Sequence, residues 1–314
     1  MSFRVRLAAT CAALAVLAAV FVLGLLLPEG GGEARVDEAL LLPLSSPAEI
    51  VEIQIQRAGG ALALRRTEGG WEAREGERVW PASTERVEAL AGLVAGLRQG
   101  RLVSRDPARR VELGLEPGAL LVLRRGEGRP ELRLRVGARA PSGQEDYMGL
   151  EEQEEVYLVR GNLSVLLAQD RAYWLDLYVF PDEVRGETIA RFIVRGQVSA
   201  GPGEPPIRGG YTLARAAEGW TLDGEPADAL AAQAMAEALA RLEGEELLEA
   251  GEASPAAGGL EAAVTTLDGR TYEFQVRREG ERLLLRRSGS PWVYPLNPSL
   301  LARAIRPAGD LRSR

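Results

Sequence analysis

An order of elements that occurs twice constrains this chain more than any other sequence feature. Between Leu62 and Val103 the sequence predicts a strand, a turn that ends in Gly69-Gly70-Trp71 and, after Trp80-Pro81, an amphipathic helix. From Thr212 to Leu248 the same order returns, with Glu218-Gly219-Trp220 at the turn. Further strands and an Asn-x-Ser-x-Leu segment follow both stretches. The sequence therefore predicts an internal duplication with copies of about 120 to 140 residues.

Hydrophobic periodicity indicates the fold class of each copy. The segment from Ile50 to Gln56 alternates apolar and polar residues, with Val51, Ile53 and Ile55 on one face, which is typical of a half-buried strand. Each predicted helix would cover one face of a mainly antiparallel sheet, so the sequence predicts an α+β fold. The apolar stripes of the two helices are Val87, Leu90, Val94 and Leu97 in the first, and Leu230, Met235, Leu239 and Leu242 in the second.

The N-terminal run from Leu7 to Leu27 has 21 positions and no charged residue. As a helix it would span about 30 Å, which is one hydrocarbon core. A cleaved signal peptide is the alternative, but its apolar region is usually shorter. Arg4 and Arg6 before the run, and Glu29 after it, predict a cytoplasmic N-terminus. We therefore expect a single-pass protein of the cytoplasmic (inner) membrane, with residues 28–314 on the extracytoplasmic, periplasmic side.

These elements give a set of predicted domain boundaries. The predicted order is a signal-anchor helix at 1–27, a juxtamembrane linker at 28–48, a first α+β repeat at 49–168, an aromatic-rich connector at 169–186, a second α+β repeat at 187–306 and a C-terminal tail at 307–314.

Composition excludes several classes of function. The chain has no His and one Cys, so a His-dependent triad, a His general base and a His-ligated metal centre cannot be built. Cys11 lies in the N-terminal apolar run, and no disulfide can form within one chain. A net charge of −7, with both signs interspersed and no Lys, argues against nucleic-acid binding. Since no catalytic or cofactor motif is present, we predict a non-enzymatic protein without a cofactor.

Several short motifs occur in an order that resembles a known family. They are Gly69-Gly70-Trp71, Trp80-Pro81-Ala82, Glu112-Leu113-Gly114-Leu115-Glu116-Pro117, and the Val136-Gly137 to Tyr147 segment followed by Val156-Tyr157-Leu158-Val159. In this order they make residues 50 to about 305 resemble the bacterial domain of unknown function 4340 family. Within them, Gly114-Leu115-Glu116-Pro117 is a Gly-Leu-acid-Pro element. The second copy departs from it, since it has Gly259-Leu260-Glu261-Ala262.

The resemblance implies a role beside a transporter. Members of this family are membrane-anchored extracytoplasmic proteins that are often encoded beside ABC transporter components of the gliding-motility type. It therefore implies that the partners include an ABC permease and its ATPase. The family offers no catalytic residues to carry over to this sequence.

Two pairs of residues are candidates for an interaction surface. Trp71 and Trp220 occupy equivalent turns and could form aromatic platforms for carbohydrate or peptide, or pack their turns against the following helices. Arg133 and Arg135 project from the polar face of one predicted strand and could grip phosphate or carboxylate groups. The alternative for this arginine pair is cross-strand pairing with the acidic hairpin at residues 144–155.

The connector supplies four more candidates, the aromatic residues Tyr173, Trp174, Tyr178 and Phe180. They could line a ligand groove between the copies, or they could be the packing that fixes the copies in one orientation, which we favour. The acidic hairpin could also bind a cation such as calcium, but a run of charges is usually a solvated face, and we predict no metal site.

Three hypotheses for the function follow from these observations. The first is a non-enzymatic, membrane-anchored binding or scaffold protein that is an accessory component of an ABC-type transport system. The second is a cell-envelope module that binds glycan or peptide through the connector aromatics and the arginine pair. The third is a hydrolase that uses carboxylates alone, as glycosidases do. No motif points to such a carboxylate pair, so the hydrolase ranks last.

Overall fold

The structure is a computed structural model and describes residues 39–126, 128–249 and 259–313. The predicted anchor at 1–27 lies outside the described residues. Within them, no helix combines the length and the apolar character needed to cross a membrane. The described chain is α+β, with antiparallel strands in two sheets and few helices, which confirms the predicted fold class.

The described strands and helices are short, and most strands follow one another as antiparallel neighbours. The strands are β1 (Ile50–Arg57), β2 (Gly60–Thr67), β3 (Gly70–Glu75), β4 (Arg78–Ala82), β5 (Arg101–Ser104), β6 (Ala119–Arg125), β7 (Leu132–Arg139), β8 (Glu145–Leu150), β9 (Val156–Arg160), β10 (Ile189–Val198), β11 (Ile207–Arg208), β12 (Tyr211–Ala216), β13 (Gly219–Leu222), β14 (Glu225–Pro226), β15 (Leu248–Glu249), β16 (Leu260–Thr266), β17 (Thr271–Glu279), β18 (Arg282–Arg287) and β19 (Trp292–Leu296). The helices are α1 (Thr84–Ala95), α2 (Ala108–Glu112), α3 (Leu163–Leu167), α4 (Arg171–Trp174), α5 (Ala229–Ala240) and α6 (Pro298–Ala304), with 3₁₀ turns at Pro47–Glu49 and Ala308–Leu311.

The chain divides into two compact units. The described parts of Met1–Ala61 and Ala89–Ala168 form the first, and those of Leu62–Glu88 and Gln169–Arg314 form the second. In the first unit the strand order is β1-β6-β7-β8-β9-β5. In the second unit β2, β3 and β4 form an antiparallel ribbon, and the larger sheet has the order β14-β13-β12-β10-β16-β17-β18-β19-β15, with β11 paired to β10.

The same strand order occurs twice. In the larger sheet the run β10-β16-β17-β18-β19-β15 matches β1-β6-β7-β8-β9-β5 of the first unit, strand for strand. The ribbon β2, β3, β4 and the helix α1 that follows it have the same order as β12, β13, β14 and α5. Each of these two helices has 12 residues, so the correspondence extends to helix length.

The predicted alternation in β1 is right for most of the strand and wrong at its start. Ile53 and Ile55 are buried, and they lie opposite Leu123 and Leu121 of β6. Val51, which we placed on the same face, is exposed. The pairing register shifts between Ile50 and Glu52, and such a bulge reverses which side chains point to the core. Ile50 is therefore the buried residue at this end of the strand.

The two predicted helix stripes have different outcomes. Val87, Leu90, Val94 and Leu97 are all buried, as predicted. In α5 the prediction for Leu230 is wrong, because its side chain is 85% exposed. The other three predicted residues, Met235, Leu239 and Leu242, are buried as predicted. Ala232 and Ala236 complete the buried face of the helix, at the 3- and 4-residue spacing of one helical face.

The described part of the predicted linker at 28–48 packs into the first unit. Leu41, Leu42 and Leu44 are buried. The backbone N–H of Leu41 donates to the carbonyl of Leu97 at 2.9 Å, and that of Gln99 donates to the carbonyl of Ala39 at 2.9 Å. The described end of this segment is therefore held to the first unit by backbone hydrogen bonds and apolar packing.

Candidate functional site

Trp71 is packed against helix α1 and is 4% exposed. Its indole N–H donates to Glu88 Oε1 at 2.9 Å, and Arg66 Nη1 donates to the same oxygen at 2.6 Å. The Arg66 guanidinium carbon lies 4.5 Å from the centroid of the Trp71 ring, which is a cation–π contact. Burial works to raise the pKa of Glu88, but the hydrogen bonds from Trp71 and Arg66 outweigh it, so this pKa lies below its usual value.

Trp220 repeats the arginine stack, and an amide takes the place of the carboxylate as the partner of the guanidinium. It is 6% exposed, and the Arg215 guanidinium carbon lies 4.4 Å from its ring centroid. Arg215 Nη2 donates to Gln233 Oε1 at 3.0 Å, and Gln233 is the fifth residue of α5, as Glu88 is of α1. Further hydrogen bonds run from Arg215 to the carbonyls of Gly186 and Ile189. Both indoles are covered by a guanidinium, so the geometry favours packing over exposed platforms.

Arg133 and Arg135 are held by one carboxylate. Arg133 Nε donates to Glu151 Oε2, and Arg135 Nη2 donates to Glu151 Oε1 at 2.7 Å. Burial raises the pKa of Glu151, but the hydrogen bonds from the two arginines lower it by more. The pKa of Glu151 therefore lies below the ordinary glutamate value. Glu151 belongs to the acidic hairpin, and the pairing is therefore the cross-strand alternative that the sequence left open.

Three of the four connector aromatics are packed within the second unit. Trp174 is fully buried, with its ring 4.9 Å from Tyr173 in an edge-to-face contact. Phe180 is buried against Phe274 at 5.6 Å, also edge to face. Tyr178 is 45% exposed. Backbone bonds add to this packing: the N–H of Ser83, which precedes α1, donates to the carbonyl of Trp174 at 2.9 Å. These aromatics therefore serve mainly as core.

The acidic hairpin shows no arrangement suited to a cation. Across residues 39–126, 128–249 and 259–313, no group of three or more His, Cys, Asp or Glu side chains is placed to hold a metal ion. Asp146 is fully buried and accepts hydrogen bonds from the backbone N–H of Ser164 at 3.0 Å and from its hydroxyl at 2.6 Å. This carboxylate therefore stabilises the start of α3.

The Gly-Leu-acid-Pro element is a packing device in the first unit. Leu115 is fully buried, and a Cβ on Gly137 would lie only 2.8 Å from its side chain. Arg110, itself 5% exposed, donates from Nε to Glu116 at 3.1 Å and from Nη1 to the carbonyl of Gln153 at 2.8 Å. Leu115 therefore packs against β7 at Gly137, where a larger residue would clash with it.

An open cleft of about 630 Å³ lies on the polar face of the larger sheet. Four of its polar side chains form one row across β10, β16, β17 and β18, because Arg195 pairs with Glu261, Glu261 with Gln275, and Gln275 with Arg286. All four residues are exposed. Gln275 Nε2 donates weakly to Glu261 Oε1 at 3.5 Å.

The next row of the cleft is less polar. Ile193 pairs with Ala263, and Ala263 pairs with Glu273. Ile193 and Ala263 are half-buried and form an apolar floor beside the exposed Glu273. Among the described residues, neither Arg195 nor Arg286 has an ion pair or a side-chain hydrogen bond. The cleft therefore presents two guanidinium groups and two carboxylates to solvent around a small apolar floor.

None of the cleft residues was predicted from the sequence to belong to a site. Their signal was an alternation that places Ile193 and Arg195, Glu261 and Ala263, and Glu273 and Gln275 on the face opposite the buried residues of their strands. Each strand alone is indistinguishable from an ordinary solvated face, and only the register brings these residues into rows.

The described residues therefore form an α+β protein with two antiparallel sheets and an open polar cleft on one of them. A family model described as "Domain of unknown function (DUF4340)" matches residues 71–263, which is more than half of the chain. The chain belongs to that family. No curated protein and no solved structure matches it.

Proposed function

We propose that this chain is a non-enzymatic binding and scaffold protein, built from two tandem α+β repeats and held at the inner membrane by its N-terminal helix. In this proposal it is an accessory component of an ABC-type transport system. The apolar run from Leu7 to Leu27 supports the anchor. The family resemblance supports the partner, because it implies a protein that is encoded beside ABC transporter components.

The observation that carries the binding role is the open cleft. Its row of Arg195, Glu261, Gln275 and Arg286 is exposed, and its volume is about 630 Å³. Clefts of a few hundred Å³ with a small number of convergent polar groups are the usual sites of ligand recognition. A wide and solvated surface suits the capture of a partner better than chemistry, which needs groups shielded from water.

The repeated architecture is supported by two independent matches. The strand order is the same in both sets, and an Arg–Trp stack closes both turns, with Arg66 and Trp71 in one and Arg215 and Trp220 in the other. A duplication explains both matches with one event. It also leaves two polar sheet faces that can diverge in function.

The test is recovery of partners from intact cells. The full-length chain carries a C-terminal affinity tag, cells are cross-linked, membranes are solubilised, and co-purifying proteins are identified by mass spectrometry. We expect enrichment of an ABC permease and its ATPase over a control in which an unrelated single-pass protein carries the same tag. Equal recovery of both components in sample and control would refute the transporter assignment.

The envelope-binding alternative is favoured by the same cleft. In that case isolated cell-envelope polymer, rather than a permease, should retain the protein. Trp174 and Phe180 are buried, so the connector aromatics give little surface for such a ligand. An Arg195→Ala, Arg286→Ala double variant would lose binding through the cleft, whereas it would keep binding through the connector aromatics.

A further inference from the structure

We propose that the cleft of the larger sheet binds short peptide segments that carry carboxylate groups and an ammonium group. This inference rests on the proposed binding function and names the ligand class of that site.

The first unit shows what such arginines bind. On one strand of its sheet, Arg133 and Arg135 both donate to the carboxylate of Glu151. In the cleft, Arg195 and Arg286 are exposed and have no such carboxylate partner among the described residues. Because guanidinium groups form charge-assisted, paired hydrogen bonds with carboxylates, carboxylates are the groups that these two arginines would bind best.

The acidic side chains of the cleft select against a polyanion. Glu261 lies between the arginines in the first row, and Glu273 lies in the next. An acidic polysaccharide would bring several carboxylates close to them and be repelled. A peptide with a free amine places a positive group beside Glu261 or Glu273 while its carboxylates reach the arginines.

The floor of the cleft also favours peptide over sugar. Ile193 and Ala263 give it an apolar surface that can contact a small side chain. Sugar rings are usually held on exposed aromatic faces, and the aromatic residue of this cleft, Phe274, is 2% exposed and belongs to the core.

The spacing of the two arginines sets the ligand length. They lie at the two ends of the row, three strand intervals apart. Neighbouring strands are about 4.8 Å apart, so their Cα atoms are separated by about 14 Å, and an extended peptide advances about 3.3 Å per residue. About four residues therefore bridge the two guanidinium groups.

The test is calorimetric titration of the full-length protein in lipid nanodiscs with the tetrapeptide Glu-Ala-Ala-Ala. The probe has a carboxylate at each end and an ammonium at one. We expect saturable binding, and a loss of about tenfold or more in affinity when the C-terminus is amidated or the N-terminus acetylated. Arg195→Ala and Arg286→Ala should each weaken binding by a similar factor. Arg191→Ala, on the same strand but outside the cleft, should leave it unchanged.

Three results would overturn the inference. They are no saturable binding of the tetrapeptide, equal weakening by Arg191→Ala and Arg195→Ala, and binding of trigalacturonate as tight as that of the peptide. Unchanged circular dichroism and melting temperature of each variant show that folding is not the cause, since exposed substitutions usually change stability by about 0.5 kcal/mol or less.

The inference and the proposed function fail separately. If the permease and ATPase co-purify but the tetrapeptide does not bind, the ligand class is wrong and the transporter assignment stands. If the peptide binds in the cleft but no transporter component is recovered, the transporter assignment is wrong and the ligand class stands.

Discussion

Glu88 accepts hydrogen bonds from both members of the Arg66–Trp71 stack and so links a strand, a turn and a helix. Its replacement is the most informative single change at this stack. Its Oε1 accepts hydrogen bonds from Trp71 Nε1 at 2.9 Å and from Arg66 Nη1 at 2.6 Å. Glu88→Ala removes the acceptor of both hydrogen bonds. Glu88→Gln keeps an acceptor oxygen but removes the charge, which reproduces the chemistry of Gln233 in the other stack.

The expected cost of Glu88→Ala is about 2 kcal/mol. Most of it comes from the Trp71 indole N–H, which is buried and loses its acceptor, at about 1 to 3 kcal/mol. The ion pair adds about 0.5 kcal/mol, because the Arg66 and Glu88 side chains are 32% and 38% exposed and remain hydrated. Glu88→Gln should cost about 0.5 to 1 kcal/mol, since one neutral acceptor remains.

Gln233→Ala is the matched control for this prediction. It removes one hydrogen bond from Arg215, whose bonds to the carbonyls of Gly186 and Ile189 remain. We expect a loss of about 0.5 to 1 kcal/mol. The measurement is urea unfolding of the full-length protein, followed by tryptophan fluorescence. If Glu88→Ala destabilised no more than Gln233→Ala, the buried indole bond would not be the main contribution and our reasoning would be wrong.

The pH dependence of the same variants gives an independent check. The pKa of Glu88 is lowered in the folded protein relative to its ordinary value. Its charged form therefore stabilises the fold fully above the unfolded pKa of about 4.3, and this contribution is lost as the pH falls through the folded pKa. The difference in unfolding free energy between wild type and Glu88→Gln should be constant from pH 6 to 8 and shrink below about pH 4. A difference that grows on acidification would contradict this.

Four further variants test other parts of the structure by the same unfolding measurement. Tyr211→Phe removes a hydroxyl that donates to the carbonyl of Arg306 at 2.7 Å, and should cost about 1 kcal/mol; no change would mean that water replaces this bond. Gly137→Ala places a Cβ 2.5 Å from a backbone carbonyl oxygen and should cost more than about 1 kcal/mol, whereas a neutral result would show that the Gly-Leu-acid-Pro segment can move. Met235→Ala should cost about 2 to 5 kcal/mol and Leu230→Ala about 0.5 or less, and the reverse order would place the core on the other face of α5.

Periodicity predicted the fold class because most strands and the first helix have one clearly apolar face. It failed at Val51, since the bulge in β1 depends on pairing with β6, which no single strand encodes. It also failed at Leu230. The core face of α5 is made partly by Ala232 and Ala236, and alanine occurs on every face of that helix, so the pattern did not indicate which face is buried.

The candidate residues were less predictable than the fold, because their environment depends on contacts distant in sequence. Trp71 was identified from its turn, but its partner Glu88 is 17 residues away on a helix. The arginine pair was correctly associated with the acidic hairpin, although the sequence could not indicate that Glu151 alone holds both. The cleft was missed entirely, since four strands contribute one residue each to its first row.

The contrast between the two polar sheet faces argues for a division of roles between them. On one face, Glu151 occupies the guanidinium groups of Arg133 and Arg135, and internal ion pairs of this kind leave little charge for a ligand. On the other face, Arg195 and Arg286 are exposed without a described partner. A carboxylate supplied from the same chain stabilises a fold, whereas one supplied by another molecule gives recognition. On this argument the first face mainly supports structure, and the second is the one to examine for binding.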